Sequence, residues 1–309
     1  LRWKRRKKKR VIKVILRQLV LELKKSLDDS SASPLLDAQL IAGLVLGRDR
    51  LYLLTNPRDE IGAENEKAMR ALVRKRISGV PLQHLTGKQE FMGLDFEVGP
   101  QVLIPRPDTE ILVEEAIGDL KDRGALTILD IGTGSGAIAV SLAKYLPLSN
   151  VYAVDVSKDA LETAKRNAAS NGVEKRIDFL LGNMFEPFDA IGEKADAIVS
   201  NPPYIPAGEI DFLQREVAVY EPRGALDGGK DGLDFYRVIA ERVLRFLKPC
   251  GMLYLEVGSG QAGAVENLLK QVKCGGESCY NDILRIKDLA GIERVVKASL
   301  RPDKIEDTL

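Results

Sequence analysis

Four consecutive residues, Asn201-Pro202-Pro203-Tyr204, carry the sharpest chemical signal in the 309-residue chain. The two prolines remove two backbone N–H donors and fix φ, so the segment offers a rigid row of carbonyl acceptors beside the Asn201 side-chain oxygen. Such a row suits an NH2 group. A planar amide or exocyclic amine has its nitrogen lone pair delocalised and is a poor nucleophile, so its reaction depends on positioning. Accepting both N–H hydrogens on the Asn201 oxygen and the Pro202 carbonyl pins that nitrogen and aims it at an electrophile. The nitrogen gains positive charge as the new bond forms, so the same oxygens hold the transition state more tightly than the ground state. Tyr204 supplies an aromatic wall for the flat group. Asn-Pro is also an ordinary turn signal, so the chemical reading depends on what accompanies it.

A second signal accompanies it. In Asp130-Ile131-Gly132-Thr133-Gly134-Ser135-Gly136-Ala137 a strand-like run enters a glycine loop and then a helical run. Glycines let the backbone turn sharply and approach a ligand, and the helix start offers free N–H groups. As G-x-G-x-x-A the segment fits a dinucleotide fingerprint, and as D-x-G-x-G-x-G it fits the loop of S-adenosylmethionine-dependent methyltransferases. Both ligand classes want a carboxylate at the end of the next strand to accept two ribose hydroxyls, and Asp155 stands there. Asp155 also competes with Ser157 and Asp159 for capping the helix from Lys158. Asn183 and Met184 follow the third strand, where a loop would reach the edge and face of an adenine ring.

These residues must be positioned by an α/β scaffold. Strand-like runs at Thr127–Ile131, Val151–Val154, Ile177–Leu180 and Ala195–Val199 alternate with helical runs at Ala137–Lys144 and Lys158–Asn171. That order predicts right-handed crossovers and a parallel sheet covered by helices on both faces. Met252–Val257, Asp282–Ile286 and Arg294–Val296 are candidate strands that could add antiparallel members at one edge. Upstream, Val11, Val14, Ile15, Leu19 and Leu23 recur at helical spacing, Ser33-Pro34 reads as a helix start, and Ala63–Ile77 repeats the helical period. The expected organisation is a basic tail over 1–10, an all-helical domain over 11–80, and a β-hairpin connector over 81–108. The catalytic α/β domain then covers 109–300, with a tail over 301–309. Pro100, Pro105 and Pro107 are expected to break the chain before that domain.

Composition narrows the chemistry. Lys plus Arg number 46, eight of them within Leu1–Arg10, so 38 remain against 45 acidic residues and the body carries about −7. A body of that sign lacks the clustered cations behind non-specific nucleic-acid binding. Three cysteines, an odd number late in the chain, predict neither a disulfide framework nor a four-ligand metal site, and a reducing cytoplasm is the expected compartment. His84 is the single histidine, which excludes HExxH zinc chemistry and leaves little room for Ser/His or Cys/His catalysis. No apolar run approaches the ~20 residues of a membrane span.

Several segments together resemble the PrmC/HemK family, the peptide chain release factor N5-glutamine methyltransferases. They are Gly79–Gly87, Glu90–Gly93, Ile104-Pro105-Arg106-Pro107-Asp108-Thr109-Glu110, the glycine loop, Asn201–Tyr204, Glu221-Pro222-Arg223-Gly224-Ala225-Leu226-Asp227-Gly228-Gly229, Asp231–Leu233 and Asp288–Gly291. The resemblance runs from about residue 12 to 300. It implies a Rossmann-like class I methyltransferase domain with a seven-stranded, mostly parallel sheet, a small helical domain for substrate docking, and a hairpin connector. It also implies methylation of the Gly-Gly-Gln glutamine in class 1 release factors. Gly132, Thr133, Gly134, Ser135 and Gly136 would then line the methionine part of S-adenosylmethionine, Asp155 its ribose, and Asn183 and Met184 its adenine. Asn201, Pro202, Pro203 and Tyr204 would hold the glutamine, with Asn201 also near the cofactor. Relatives often carry Asp and an aromatic residue at the Asn183-Met184 positions, so altered adenine packing is expected. Arg106 and Glu110 either orient the cofactor's carboxylate end or pair with each other. Glu221 and Asp227 either shape the substrate mouth or satisfy backbone donors. Two rivals remain. One is an N6-adenine or other nucleic-acid amino-methyltransferase, which presents the same two hydrogens and requires base flipping. The other is a non-catalytic ribosome- or RNA-binding protein acting through the basic tail.

Overall fold

A computed structural model describes residues 14 to 302. The expected basic tail and most of the C-terminal tail lie outside the described residues. The chain divides into two compact units, the break falling between Gly87 and Lys88.

The first unit is mainly helical. Val14–Ile15 (β1) pairs antiparallel with Glu60–Ile61 (β2), and the helices are Leu16–Leu27 (α1), Pro34–Leu46 (α2), Arg50–Thr55 (α3), Ala63–Ile77 (α4) and Leu82–Thr86 (α5). Val14 and Ile15 fit the helical period but are extended, so the first helix opens at Leu16. The α1 face Leu16, Leu19, Leu23 and Leu27 is buried against Ala38, Ile41, Met69 and Val73. Pro34 takes the first helical position of α2, and the Ser33 side chain makes no capping bond. Arg76 of α4 and Asp37 of α2 form a buried ion pair at 2.9 Å.

The second unit opens with a hairpin, Lys88–Phe91 (β3) and Leu94–Glu97 (β4). Met92 and Gly93 at its tip have φ of 52° and 68°, the doubly left-handed turn that matches strand twist. Phe91 and Phe96 are buried in the same core as Leu112, Ile128 and Val140, so the hairpin belongs to this unit's interior. Pro107 opens a helix, Pro107–Leu120 (α6), because proline at the first turn loses only an N–H that has no intrahelical partner. That helix replaces the chain break expected there.

The order is then Thr127–Ile131 (β5), Ala137–Tyr145 (α7), Asn150–Asp155 (β6), Lys158–Ser170 (α8), Ile177–Leu181 (β7), Glu186–Asp189 (α9) and Ala195–Ser200 (β8). Arg215–Tyr220 (α10), Asp234–Phe246 (α11), Leu247–Glu256 (β9), Ala262–Gln271 (α12), Lys273–Cys274 (β10), Glu277–Ser278 (β11), Tyr280–Lys287 (β12) and Glu293–Leu300 (β13) follow. Seven strands form one sheet in the order β12-β13-β9-β8-β5-β6-β7, in which β5 to β9 run parallel, β13 pairs antiparallel with β9, and β12 pairs antiparallel with β13. Ile128, Ala197 and Tyr254 look into one buried layer, and Leu129, Ile198 and Leu253 into the other. This two-sided burial accounts for the near-continuous apolar runs of the parallel strands. The chain moves outward from β5 through β6 to β7 and returns to β8 on the other side of β5. The crevice at the carboxyl ends of β5 and β8 is therefore a topological switch point.

The outer strand β12 is irregular, with register shifts between Tyr280 and Ile283 and between Ile286 and Lys287. Cys274 and Cys279 form a disulfide, contrary to the expectation from cysteine number. The small β10–β11 hairpin between them brings their Cα atoms to 5.2 Å. No helix among the described residues is long and apolar enough to cross a membrane.

Candidate active site

The glycine loop leaves β5 with φ of 75°, 56° and 81° at Gly132, Gly134 and Gly136. A Cβ at Gly132 or Gly134 would meet no atom within 4 Å, so both face open space. At Gly136 a Cβ would sit 2.9 Å from the Ala164 Cβ, so that glycine is required by the packing of α7 on α8. The N–H groups of Gly132 and Thr133 both donate to the Val154 carbonyl at 2.9 Å, which fastens the loop to β6. Asp130 beneath it is fully buried, its carboxyl pushed up to about 7 by burial, and it accepts from the Thr133 hydroxyl at 2.7 Å.

Asp155 ends β6 and accepts two backbone hydrogen bonds at 2.8 Å, from Gly134 and from Ser157. Ser157 caps α8 by accepting from the Ala160 N–H at 3.2 Å, so Asp155 is free of that duty. The loop after β7 brings in Asn183 and Met184, the latter with φ of 48° and mostly buried.

At the end of β8 the Ser200 hydroxyl donates to the Ile131 carbonyl at 2.8 Å and locks the strand end to β5. Asn201 donates its Nδ2 to the Thr109 hydroxyl oxygen at 3.1 Å. Tyr204 is pushed up to about 12 by burial and the nearby Glu256 charge, and its carbonyl accepts from Gln261 at 2.9 Å. The next residue, Ile205, exchanges backbone bonds with Leu226 and Gly228 at 3.0 and 2.9 Å. A Cβ at Gly228 would lie 2.8 Å from the Pro203 carbonyl oxygen, and one at Gly232 would lie 2.3 Å from the Tyr204 carbonyl oxygen. Gly228 and Gly232 thus let a second pass of chain press on the proline segment.

A cavity of about 280 Å³ opens between these loops. Of the residues singled out from the sequence, Gly132, Gly134, Asp155, Asn183, Met184, Asn201, Pro202 and Pro203 line it. Thr133, Ser135, Gly136 and Tyr204 do not. Thr133 and Ser135 are buried, the first bonded to Asp130 and the second with its carbonyl accepting from Asn167. Tyr204 packs against the apolar layer beneath β9 and α11. His84 lies on α5 and does not line the cavity. Arg106 pairs with Glu221 at 2.7 and 2.8 Å, where burial raises the Glu221 pKa against the pull of Arg106. Glu110 is not its partner and instead accepts from the Met92 N–H at 2.6 Å. Sequence reasoning gave no role to Thr109 or Glu256. The signals for them were a threonine in the Pro105–Glu110 segment and an acidic residue closing an apolar strand.

A model of the PrmC N-terminal domain matches residues 18–87, and a methyltransferase domain model matches 122–292. The chain is 44% identical to the release factor glutamine methyltransferase of Geobacter sulfurreducens over 84% of its own length and 88% of that protein. It is 43% identical to that of Moorella thermoacetica over 87% and 93%. Among solved structures, the hMettl16 catalytic domain in complex with the MAT2A 3′UTR hairpin 6 aligns with a TM-score of 0.53 at 15% identity, over 75% of this chain and 83% of that one. That likeness is one of fold.

Proposed function

The chain belongs to the release factor glutamine methyltransferase family, and from that premise we propose that it transfers a methyl group from S-adenosylmethionine to a release-factor glutamine. The acceptor is the side-chain amide nitrogen, N5, of the Gly-Gly-Gln motif in class 1 peptide chain release factors, and the reaction belongs to the cytoplasm. The helical domain is assigned to docking of the release factor, as the family resemblance implies. One observation carries the reading: Asn201, Pro202 and Pro203 line the same cavity as Gly132, Gly134 and Asp155, at the switch point of the sheet.

The residues present fit the cofactor. Gly132 and Gly134 offer space that any side chain would fill, Asp155 offers carboxylate oxygens suited to ribose hydroxyls, and Met184 offers a polarizable apolar face beside Asn183. When bound, S-adenosylmethionine would supply an electrophilic methyl on a sulfonium sulfur, the C–S bond breaking to leave a neutral thioether as the N–C bond forms and one N–H proton of the amide passing to solvent. Asn201, with its amide nitrogen engaged by Thr109, presents Oδ1 as acceptor to one N–H of the glutamine amide. The Pro202 carbonyl takes the other. These two oxygens orient the nitrogen lone pair and stabilise the charge that grows on it, so no strong base is needed beforehand. Tyr204, off the cavity wall in this structure, stiffens the segment through Gln261 and its half-buried ring.

Incubation with labelled S-adenosylmethionine and a purified release factor tests the assignment. Label enters the Gly-Gly-Gln protein and not a Gly-Gly-Ala variant. Equal labelling of the variant overturns the substrate.

A further inference from the structure

An asparagine side chain has two faces of nearly equal shape, one accepting and one donating. If Asn201 turned over, the site would present an NH2 to the substrate's NH2 and repel it. Something must fix the orientation.

The partners on the page do so. Asn201 Nδ2 donates to Thr109 Oγ1 at 3.1 Å, and Thr109, 4% exposed, stands in the first turn of α6. Behind both lies Glu256, the last residue of β9, 2% exposed. Its carboxyl interacts with the Thr109 hydroxyl and the Asn201 amide, and its Oε2 is buried with no hydrogen-bond partner among the described residues. An ionised carboxylate only accepts. The Thr109 hydroxyl, whose oxygen accepts from Asn201, then has its own proton to offer the Glu256 carboxylate that it pulls down. We propose that Glu256 and Thr109 are positioning residues that set the polarity of this chain of hydrogen bonds, so that Asn201 always turns its oxygen toward the substrate amide. The inference rests on the role given to Asn201 under the proposed function.

The arrangement carries a pH signature. Burial pushes the Glu256 carboxyl up to about 7; the Thr109 hydroxyl, Arg294 and the Asn201 amide pull it down, while Asp108 pushes it up. Arg294 of β13 is itself paired with Asp108 at 2.9 Å, and Tyr204 and Tyr236 also feel the Glu256 charge. Below its pKa the carboxyl becomes a donor, Thr109 no longer owes it a proton, and the lock on Asn201 is released. The turnover number should therefore rise with pH through a limb near 7.

The experiment measures kcat and KM between pH 5.5 and 9 for the full chain, with a class 1 release factor and labelled S-adenosylmethionine. Glu256→Gln is expected to lower kcat about tenfold to a hundredfold and to abolish the limb, with the KM for S-adenosylmethionine within about twofold. Thr109→Val gives the same loss and Thr109→Ser restores activity; this pair decides the matter if Glu256→Gln does not fold. Wild-type kcat and an unchanged limb in Glu256→Gln, or equal activity in Thr109→Val and Thr109→Ser, overturns the inference. Asn201→Ala separates the two levels. If it is inactive while Glu256→Gln is unaffected, only the positioning role fails; if it retains full activity, the reading of Asn201 fails with it.

Discussion

Asn201 and Asp155 line one cavity from different strands, and their chemistry separates their roles. In the proposed reaction Asn201 is assigned to the acceptor nitrogen and Asp155 to the cofactor. Asn201→Ala should lower methyl transfer by about a hundredfold or more, as loss of a transition-state hydrogen bond does, while calorimetry finds S-adenosylmethionine affinity within about twofold. Asp155→Ala removes a carboxylate that also organises the Gly134 and Ser157 amides. Loss of charge-assisted bonds worth roughly 1.5–3 kcal/mol each predicts a cofactor affinity at least about tenfold weaker. Similar affinity losses in both variants would contradict the division. The sequence made these two residues legible because each closes an apolar run at the ligand edge of the sheet. It did not encode side-chain direction: Thr133, Ser135 and Tyr204 stand off the cavity wall, since loop spacing says where the backbone turns and not which way each side chain points.

At the level of elements, the parallel strands were readable because burial on both faces leaves uninterrupted apolar runs. Helix α6 was not, since three prolines in eight residues look like a break until the third is found at a helix start. Long-range partners were equally hidden. Arg106 meets Glu221 across 115 residues, and no local pattern encodes that pairing. The contact joins the residue that precedes α6 to the segment that crosses behind the proline motif. Gly228 is one of the two close points of that crossing, with Gly232. Gly228→Ala places a methyl against the Pro203 carbonyl and the Tyr204 Cα, both backbone atoms 2.8 Å away, so the motif must shift. A stability loss of about 1–3 kcal/mol is expected from the overpacking. Methyl transfer should fall about tenfold or more from misplacement of the acceptor row, while cofactor affinity persists. Unaltered kcat in a folded Gly228→Ala protein would show that the crossing does not set the geometry of the motif.

For the whole molecule, ligand binding and folding are linked. Occupation of the cavity at a hundred times Kd adds about 2.7 kcal/mol to the stability of the unit that holds it. For a unit of this size the melting temperature should climb by roughly 5–10 °C with S-adenosylmethionine, from ~2–4 °C per kcal/mol. At the same concentration a tenfold weaker Kd leaves Asp155→Ala about 1.4 kcal/mol, so its melting temperature should climb only about half as far. NADH is the control, and an equal rise with it would return the glycine loop to a dinucleotide. One further consequence lies at the rim of the sheet. Among the described residues no strand pairs with the outer side of β12, and a straight unpaired row of amides is a template on which copies of a chain stack into fibrils. Two skipped registers, with Asp282, Arg285 and Lys287 exposed along the strand, spoil that template. The irregular border therefore works against edge-to-edge stacking of copies of the chain.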